Sequence, residues 1–465
     1  MDSVINGKIS NRNKHGDLSL IFILTLLATV TRLYGIGQWA IDADEVVSYV
    51  RALNHNFSIT PCSDFLVSIF FSLFGDSEFT FRLPSALFGI ASIPVFFILT
   101  RKLFGRYTAL FGSLFILFSY FHLRHSQFGR YYSEVFFFGI LAYYSYFKFF
   151  QSYNKKYLVG ALISSFLGFL IHPTFLVVPF VNGIFTIIVL FNKNKYNKNT
   201  VQAAKLFLVI FGLIALFISP FFINIIRVLQ SIPDIWGYKS IMLSMQIIKH
   251  FTVPITASCI FGLLWLLKKD TAKGIYYLMS ISIPIVLIIS ASFFTNVRPA
   301  YIMYIYPIFF ILSGYFCAQL KNISSNNSYF HITVVILIIF CMLPEFISHY
   351  SGMSSLDVRD TEYFLDKNYQ NGDKVLSFDF GFDFYYKNKY DFENYEEIND
   401  YPDLIEKINQ FKNAPYRIWI VIKTARSKIS PQLNSWLIKN ANLSWEKSEE
   451  RFDYSFKSLR IYLLE

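Results

Sequence analysis

Eleven stretches of about 20 mostly apolar residues follow one another along the first three quarters of this chain. A polypeptide can cross a bilayer only if its backbone hydrogen bonds are satisfied internally, so such stretches predict transmembrane helices. The first is not expected to be a cleaved signal, because a long helical series follows it and no small-residue cleavage site is evident. We predict a mainly α, polytopic membrane protein with about 11 transmembrane helices. The stretches begin near Leu18, Phe81, Tyr107, Tyr131, Tyr157, Pro173, Ala203, Phe251, Ile275, Pro299 and Phe330.

Charge divides the chain into two parts. The net charge is +11, but residues 1–349 hold 26 Lys and Arg against 12 Asp and Glu, and the remainder holds 16 against 19. The basic residues interrupt apolar stretches and do not cluster on a soluble module, which excludes a nucleic-acid-binding face. Alternate loops carry 17 and 9 basic residues, and the poorer set includes the longer loops. The positive-inside rule then predicts a cytoplasmic N-terminus and, after an odd number of spans, an outer C-terminal segment.

Residues 350–465 have the composition of a small soluble domain. Lys374–Phe378, Arg417–Ile422 and Arg460–Leu464 are predicted strands, and Asp403–Phe411 and Gln432–Lys439 are predicted helices. The alternation favours a small α/β layer on the outer face, following a membrane domain over residues 1–349. Its expected role is that of a packing lid or an interaction module.

The first outer loop, residues 35–79, is long and acidic at its start. It contains Asp42-Ala43-Asp44-Glu45 just past the first span, followed by Val46–Leu53, which is apolar at helical spacing and predicts an amphipathic surface helix. Phe65–Phe74 is apolar but too short to span, which indicates an interfacial or re-entrant segment. Carboxylates at a membrane edge often mark a working site. Asp42 or Asp44 would equally serve as the N-cap of the following helix, with Glu45 favouring its dipole, and the two roles are compatible.

The second outer loop is rich in groups that bind phosphate or sugar. Arg124 and Arg130 supply charge, and Gln127 and Tyr131 can contact hydroxyls. Arginine suits phosphate because its planar fork donates two parallel hydrogen bonds, although Arg130 would also serve as an anchor to lipid headgroups. His122 and His125 share a helix face and could hold a metal, but histidines at a helix end are more commonly solvated.

Two further outer features fit the same surface. His172-Pro173 lies at a tight turn between spans, and Arg298-Pro299 opens the tenth span, followed by Tyr301, Tyr304 and Tyr306. Tyrosines at such a position are typical of the interfacial aromatic belt. Acids, arginines and tyrosines facing one aqueous compartment fit a site for an anionic substrate with a lipid tail, and they fit a transporter or flippase of lipid-linked sugars as well.

The order of these motifs resembles a known family. An acidic pair (Asp44-Glu45) is followed by the block Leu73–Leu87 (LFGDSEFTFRLPSAL), then by RKLFGR (Arg101–Arg106) and the loop from Gln127 to Tyr131. This arrangement resembles the bacterial GT-C glycosyltransferases related to protein O-mannosyltransferases and aminoarabinose transferases, glycosyltransferase family 39-like. The resemblance covers residues 18–150 closely and is weaker around residues 298–314.

The resemblance implies a membrane glycosyltransferase that takes a sugar from a polyprenyl-phosphate-linked donor. The acceptor would be a hydroxyl on a lipid, glycan or protein, at the periplasmic or outer face of the bacterial inner (plasma) membrane, usually with inversion. It implies no nucleic-acid partner and no assigned cofactor, and it leaves a divalent metal open. Many relatives have Pro-Pro in the first loop where this chain has Thr60-Pro61-Cys62-Ser63, so the acceptor contacts there differ.

The resemblance also assigns roles to residues. Asp44 matches the catalytic acid of the family and would act as the general base, and Glu45 would orient it or contact the acceptor. Arg130, Tyr131 and Arg298 would bind the donor phosphate. Glu134 would be a second carboxylate or a metal ligand.

Overall fold

Every apolar stretch predicted from the sequence falls on a helix in the computed structural model of the chain. The structure describes residues 2–57, 60–231, 240–294, 297–323, 329–352, 357–377, 380–386, 389–390, 392–394, 417–424, 431–450 and 456–464. The helices are α1 (Asp2–Leu33), α2 (Ala43–Leu53), α3 (Pro61–Phe74), α4 (Glu78–Phe104), α5 (Arg106–Phe118), α6 (Tyr120–Ser126), α7 (Tyr132–Ser152), α8 (Lys155–Ile171), α9 (Val177–Phe191), α10 (Lys198–Ser231), α11 (Ser240–Phe251), α12 (Val253–Lys269), α13 (Thr271–Ala291), α14 (Tyr306–Ile323), α15 (Phe330–Gly352), α16 (Asp360–Asn368), α17 (Phe380–Tyr386) and α18 (Pro431–Asn440). Short 3-10 helices cover Pro173–Leu176, Lys193–Lys195 and Pro299–Ile305.

The helices confirm a polytopic membrane protein. Among the described residues, six helical segments are long and apolar enough to cross a membrane, or seven if α12 and the end of α11 form one bent span. The stretch that begins near Tyr107 forms only the 13-residue α5, which is too short to cross a bilayer unaided. The number of eleven spans stays a prediction.

The chain divides into two compact units that are both discontinuous in sequence. The first unit contains residues 1–34, 56–67 and 82–346, and the second contains residues 35–55, 68–81 and 347–465. Most of residues 35–79 therefore belong to the same unit as the C-terminal segment. The sequence predicted one domain boundary, between residues 349 and 350, and did not predict that residues 35–55 and 68–81 join the second unit. That boundary stays a prediction.

Close helix approaches organise the first unit. A Cβ atom on Gly314 would lie 2.5 Å from the carbonyl oxygen of Thr108, so α14 and α5 cross with their backbones nearly touching. Small residues allow this approach in membranes, where van der Waals packing drives helix association. A Cβ on Gly139 would lie 2.6 Å from the carbonyl oxygen of Tyr304. This second approach fixes α7 against the segment Pro299–Ile305.

A five-stranded sheet forms the core of the second unit. Its strands are β1 (Lys374–Ser377), β2 (Phe392–Asn394), β3 (Ile418–Thr424), β4 (Asn442–Glu450) and β5 (Phe456–Leu464), in the order β2-β1-β3-β5-β4. The three strands β2, β1 and β3 are parallel, whereas β5 is antiparallel to both β3 and β4. Trp419 and Val421 enter one apolar cluster and Ile418 and Ile420 another, so β3 is buried on both faces, which explains its continuous apolar sequence.

The predicted α/β character of this segment is confirmed. The three predicted strands are present as β1, β3 and β5, and the predicted helix over residues 432–439 is α18. Two strands were not predicted, β2, which has only three residues, and β4, whose second half is charged, as suits an edge strand. The predicted helix Asp403–Phe411 lies outside the described residues.

Candidate functional site

The acidic segment of the first outer loop forms the start of α2. The carbonyl oxygen of Asp42 accepts hydrogen bonds from the backbone N–H groups of Glu45 (2.7 Å) and Val46 (3.0 Å), so Asp42 holds the N-cap position. The Glu45 carboxylate is 1% exposed, and its Oε2 accepts the backbone N–H of Asp42 at 3.1 Å. This is one half of a capping box. The helix predicted over Val46–Leu53 thus exists and begins three residues earlier.

Asp44 lies in the first turn of α2, and its side chain is outside the described residues. Its assignment as the general base therefore stays a prediction. The observed hydrogen bond gives Glu45 a structural role at the helix start. That role does not conflict with the predicted one, because a carboxylate that closes the helix start also fixes the backbone of its neighbour.

Arg130 and Tyr131 open a stack of rings in the first unit. The Arg130 guanidinium carbon lies 5.0 Å from the centroid of the Tyr131 ring, a cation–π distance. The Tyr131 ring stacks on His172 at 4.5 Å, and His172 stacks on Tyr301 at 5.3 Å, both with 28° between the planes. The structure thus brings together three features that are distant in the sequence, the loop from Gln127 to Tyr131, the His172-Pro173 turn and the segment after Arg298. We call these four side chains the aromatic stack.

His172 is held in this stack by Thr174. The Thr174 hydroxyl donates to the carbonyl oxygen of Tyr301 at 2.8 Å and lies 2.7 Å from His172 Nδ1. The backbone N–H of Thr174 donates to the same ring nitrogen at 3.4 Å, which makes His172 the N-cap of the 3-10 turn that follows it. Burial, with a further effect from the Arg130 charge, lowers the pKa of His172 to about 3. The imidazole is therefore neutral at physiological pH.

Arg298 precedes the stack on its own segment. Its carbonyl oxygen accepts the backbone N–H of Tyr301 at 3.0 Å, and its side chain is partly exposed. Tyr304 and Tyr306 are each 1% exposed, so the expectation of an interfacial aromatic belt is wrong for them. Tyr306 packs at 4.0 Å on Phe251, because the 3-10 turn after Pro299 directs it into the core.

Glu134 lies in the first turn of α7 and is 1% exposed. The hydroxyl oxygens of Ser85 and Ser133 each lie 3.3 Å from its carboxylate. Ser85 makes its shorter hydrogen bond, at 2.9 Å, to the carbonyl oxygen of Arg130, and thereby connects Glu134 to the loop of the aromatic stack. Within the part of the chain that the structure describes, no group of three or more His, Cys, Asp or Glu side chains is arranged to hold a metal ion. Whether Glu134 is a metal ligand stays a prediction.

Other polar residues of the second loop serve the helix ends. Gln127 is fully buried, and its Nε2 donates to the carbonyl oxygens of Thr31, Arg32 and Tyr34 at 2.9–3.2 Å. The sugar-contacting role suggested for Gln127 is therefore wrong, because its donors cap α1.

Arg32 caps a second helix end in the same way. It is 0% exposed and donates to the last carbonyl groups of α5, those of Ile116 and Leu117, and its Nη2 lies 3.2 Å from His122 Nδ1. Arg32 is one of the nine basic residues of the poorer loop set, and its role at the end of α5 was not predicted. His125 Nδ1 lies 2.8 Å from the Phe121 carbonyl oxygen, so both histidines of the suggested metal pair have other partners.

Comparison with known proteins gives matches at two levels. Residues 58–223 match the family model described as dolichyl-phosphate-mannose-protein mannosyltransferase. A search of curated protein sequences found no match. Among solved structures, ArnT from Cupriavidus metallidurans in the apo state superposes with a TM-score of 0.61 at 12% identity, over 97% of this chain and 98% of ArnT.

Two further structures are similar. ArnT from the same organism bound to undecaprenyl phosphate gives a TM-score of 0.57 at 12% identity, over 95% of this chain and 97% of ArnT. The apo oligosaccharyltransferase of Archaeoglobus fulgidus gives 0.55 at 16% identity, over 79% of this chain and 63% of its own length. These likenesses establish the fold, which is the GT-C fold predicted from the sequence motifs. The chain therefore shares the fold of these membrane proteins, and residues 58–223 also match the mannosyltransferase model.

Proposed function

We propose that this chain transfers a sugar from a polyprenyl-phosphate-linked donor to an acceptor hydroxyl on the outer face of a bacterial inner membrane. The observation that carries the proposal is the aromatic stack, which joins Arg130 to the segment that follows Arg298. The likeness to an ArnT that binds undecaprenyl phosphate supports a donor of the same chemical class. The acceptor is a lipid, a glycan or a protein.

In the proposed reaction the acceptor oxygen attacks the anomeric carbon of the donor sugar. The bond between that carbon and the phosphate oxygen breaks, the polyprenyl phosphate leaves with the electron pair, and the anomeric configuration inverts. The proton of the acceptor passes to the Asp44 carboxylate, which acts as the general base. The acceptor becomes a better nucleophile as it loses this proton, while negative charge accumulates on the departing phosphate.

Arg130 and Arg298 are proposed to neutralise the phosphate charge that develops as the donor bond breaks. Stacking holds the Tyr131 ring in place, and Tyr131 in turn carries the Arg130 guanidinium at cation–π distance. An arginine held in place needs little rearrangement to receive a phosphate, and its fork matches two phosphate oxygens. The neutral His172 adds no further positive charge to this group and acts as a planar spacer.

Glu134 is proposed to keep the loop of the aromatic stack in place through Ser85, as a second carboxylate that does not itself touch the sugar. The hydroxyl oxygens of Ser85 and Ser133 lie 3.3 Å from its carboxylate and bring no counter-charge. A metal ligand role for Glu134 would need further oxygen or nitrogen donors from the substrate or from solvent.

A deletion strain tests the proposed function. Mass spectrometry of lipid-linked sugars and of cell-surface glycans should show loss of one surface sugar together with accumulation of its polyprenyl-phosphate-linked form. Complementation with the wild-type chain should reverse both changes, and complementation with Asp44→Asn should reverse neither. Loss of the surface sugar without accumulation of a lipid-linked donor would place the defect in donor supply and would contradict the proposal.

A further inference from the structure

The segment that leads into α2 has no regular secondary structure, and side chains accept hydrogen bonds from its successive backbone N–H groups. The backbone N–H groups of residues 40, 41 and 42 are donors to three side chains in succession. Ala40 donates to Asp357 Oδ2 at 3.0 Å, Ile41 donates to the Tyr385 hydroxyl at 2.9 Å, and Asp42 donates to Glu45 Oε2 at 3.1 Å. Two of these three acceptors come from the C-terminal segment, more than 300 residues away, as the separations of 317 and 344 residues show.

Arg359 and Glu78 connect the two acceptors of the C-terminal segment, Asp357 and Tyr385. The Arg359 guanidinium donates to both carboxylate oxygens of Asp357, and its Nη2 donates to the carbonyl oxygen of Gln38 at 2.6 Å. Its Nη1 reaches Glu78 Oε1 at 3.5 Å, and the Tyr385 hydroxyl donates to the same oxygen at 3.0 Å. Asp357, Arg359, Tyr385 and Glu78 therefore form one hydrogen-bonded group, which we call the loop clamp, and it binds backbone groups of residues 38, 40 and 41.

The charges of the loop clamp support its hold on the backbone. Burial alone would raise the pKa of Asp357, but the hydrogen bonds and the charge of Arg359 outweigh burial, and the pKa lies below its usual range. The carboxylate therefore stays ionised and makes a charge-assisted bond to the Ala40 N–H. The Tyr385 hydroxyl accepts a hydrogen bond from the Ile41 N–H and donates one to Glu78, so it acts both as an acceptor and as a donor.

The same helix that carries Tyr385 also touches α2. Phe384 packs edge-on against Tyr49 with ring centroids 5.0 Å apart, and Tyr49 further contacts Phe71 at 4.8 Å. Tyr49 is 6% exposed, so this contact is part of the core of the second unit. α17 thus fixes both the segment before Asp44, through hydrogen bonds, and the helix after it, through ring packing.

We infer that the loop clamp positions Asp44 for catalysis, with Arg359 and Tyr385 as positioning residues that touch no substrate. This inference rests on the proposed function, in which Asp44 is the general base. A base must lie within hydrogen-bond reach of the proton it removes, and a displacement of about 1 Å can cost about 100-fold in rate. The C-terminal segment then has a catalytic purpose in addition to packing, because it supplies three of the four clamp side chains.

Tyr385→Phe tests the inference with a minimal change, and Tyr386→Phe is its matched control. Tyr386 is the next residue of α17, and its hydroxyl donates to Glu362 Oε2 at 3.4 Å, whereas the Tyr385 hydroxyl accepts the Ile41 N–H. Hydrogen–deuterium exchange should be faster in the peptide over residues 39–45 for Tyr385→Phe and unchanged for Tyr386→Phe. Equal exchange in the two variants would overturn the loop clamp as the element that fixes this backbone.

Transfer kinetics connect the loop clamp to Asp44. The donor probe is the radiolabelled polyprenyl-phosphate-sugar fraction extracted from cells that lack this chain, and the acceptor is the washed membrane fraction of those cells. Tyr385→Phe should lower kcat by about 10- to 100-fold and leave the donor KM unchanged, whereas Tyr386→Phe should match the wild type. Arg359→Lys should recover part of the activity lost in Arg359→Ala, because it restores the charge without the fork.

A double variant separates positioning from general loosening. If the loop clamp acts through Asp44, Tyr385→Phe should have no further effect on kcat in an Asp44→Asn background, since the group that it positions is already disabled. The same fold loss in both backgrounds would overturn the inference. A fully active Asp44→Asn variant would overturn the proposed base and the inference with it. An inactive Asp44→Asn beside a wild-type-like Tyr385→Phe would overturn the loop clamp alone.

Discussion

Arg130 and Asp44 lie in segments that the fold holds by different kinds of contact. Arg130 belongs to the helical first unit. Three stacked rings follow it in the aromatic stack, and the Ser85 hydroxyl donates to the carbonyl oxygen of Arg130, so both contacts fix this segment. Asp44 belongs to the second unit, where the preceding backbone is bound by Asp357 and Tyr385 of the C-terminal segment. Stacked rings fix the orientation of a side chain and tolerate some sliding. Backbone hydrogen bonds fix the path of the chain more strictly, because they are directional.

This difference suits the two proposed tasks. Phosphate binding depends on charge and on a planar donor fork, and it benefits from an adaptable surface. Proton transfer depends on a short distance to one hydroxyl, and it benefits from a rigid backbone. The comparison leads to the expectation that changes in the first region affect mainly donor KM, and that changes in the second affect mainly kcat.

Asp44→Asn should have the largest effect. Asparagine keeps the size of aspartate, and the N-cap of α2 is Asp42, so the helix start is preserved while the proton of the acceptor can no longer be accepted. Because general-base catalysis is typically worth about 100- to 10,000-fold, kcat should fall by that factor while expression stays normal. The measurement is transfer of labelled sugar by purified protein, with Asp42→Asn as the control. Wild-type turnover in Asp44→Asn would refute the assignment, and a loss confined to Asp42→Asn would move the base two residues upstream.

Arg130→Lys should have an intermediate effect of the other kind. Lysine keeps the positive charge but loses the bidentate fork and most of the contact with the Tyr131 ring. Hydrogen bonds to charged groups are worth about 1.5–3 kcal/mol, so the donor KM should rise by about 10-fold or more, with a smaller change in kcat. Initial rates at low donor concentration measure this effect. A drop confined to kcat would contradict the division between the two regions, and an unchanged donor dependence would make Arg130 a lipid anchor.

His172→Phe should have the smallest effect, and it depends on pH. The pKa of His172 is about 3 in the folded protein and about 6.5 in an unfolded chain, so the unfolded state binds more protons between these values. The stabilisation from the neutral imidazole is therefore complete above about pH 6.5 and decreases as the pH falls below it. Phenylalanine keeps the stacking ring and removes this titration. The variant should thus lose less thermal stability than the wild type between pH 7 and pH 5. Parallel losses in the two proteins would show that His172 does not titrate in this window.

The parts of the fold that depend on local sequence were predictable. Hydropathy located the helices, and the run from Ile418 to Ile422 identified a strand buried on both faces. The contacts that build the site are non-local and were not predictable. Tyr131 meets His172 only after two helices have reversed the chain direction. Gln127 and Arg32 were misjudged for a related reason, because a polar side chain near a helix end in sequence gives no indication of which orphaned carbonyl groups it will reach.

The loop clamp also joins residues that are synthesised at very different times. Ala40 emerges from the ribosome 317 residues before Asp357, which is at least about 16 s at a synthesis rate of about 5–20 residues per second. Through that interval the acidic segment has been made but its partners have not. A chain that ended just before Asp357 would keep its long apolar helices and the residues of the aromatic stack, and it would lack Asp357, Arg359 and Tyr385. The backbone before Asp44 can therefore be bound by the loop clamp only after synthesis has passed Tyr385.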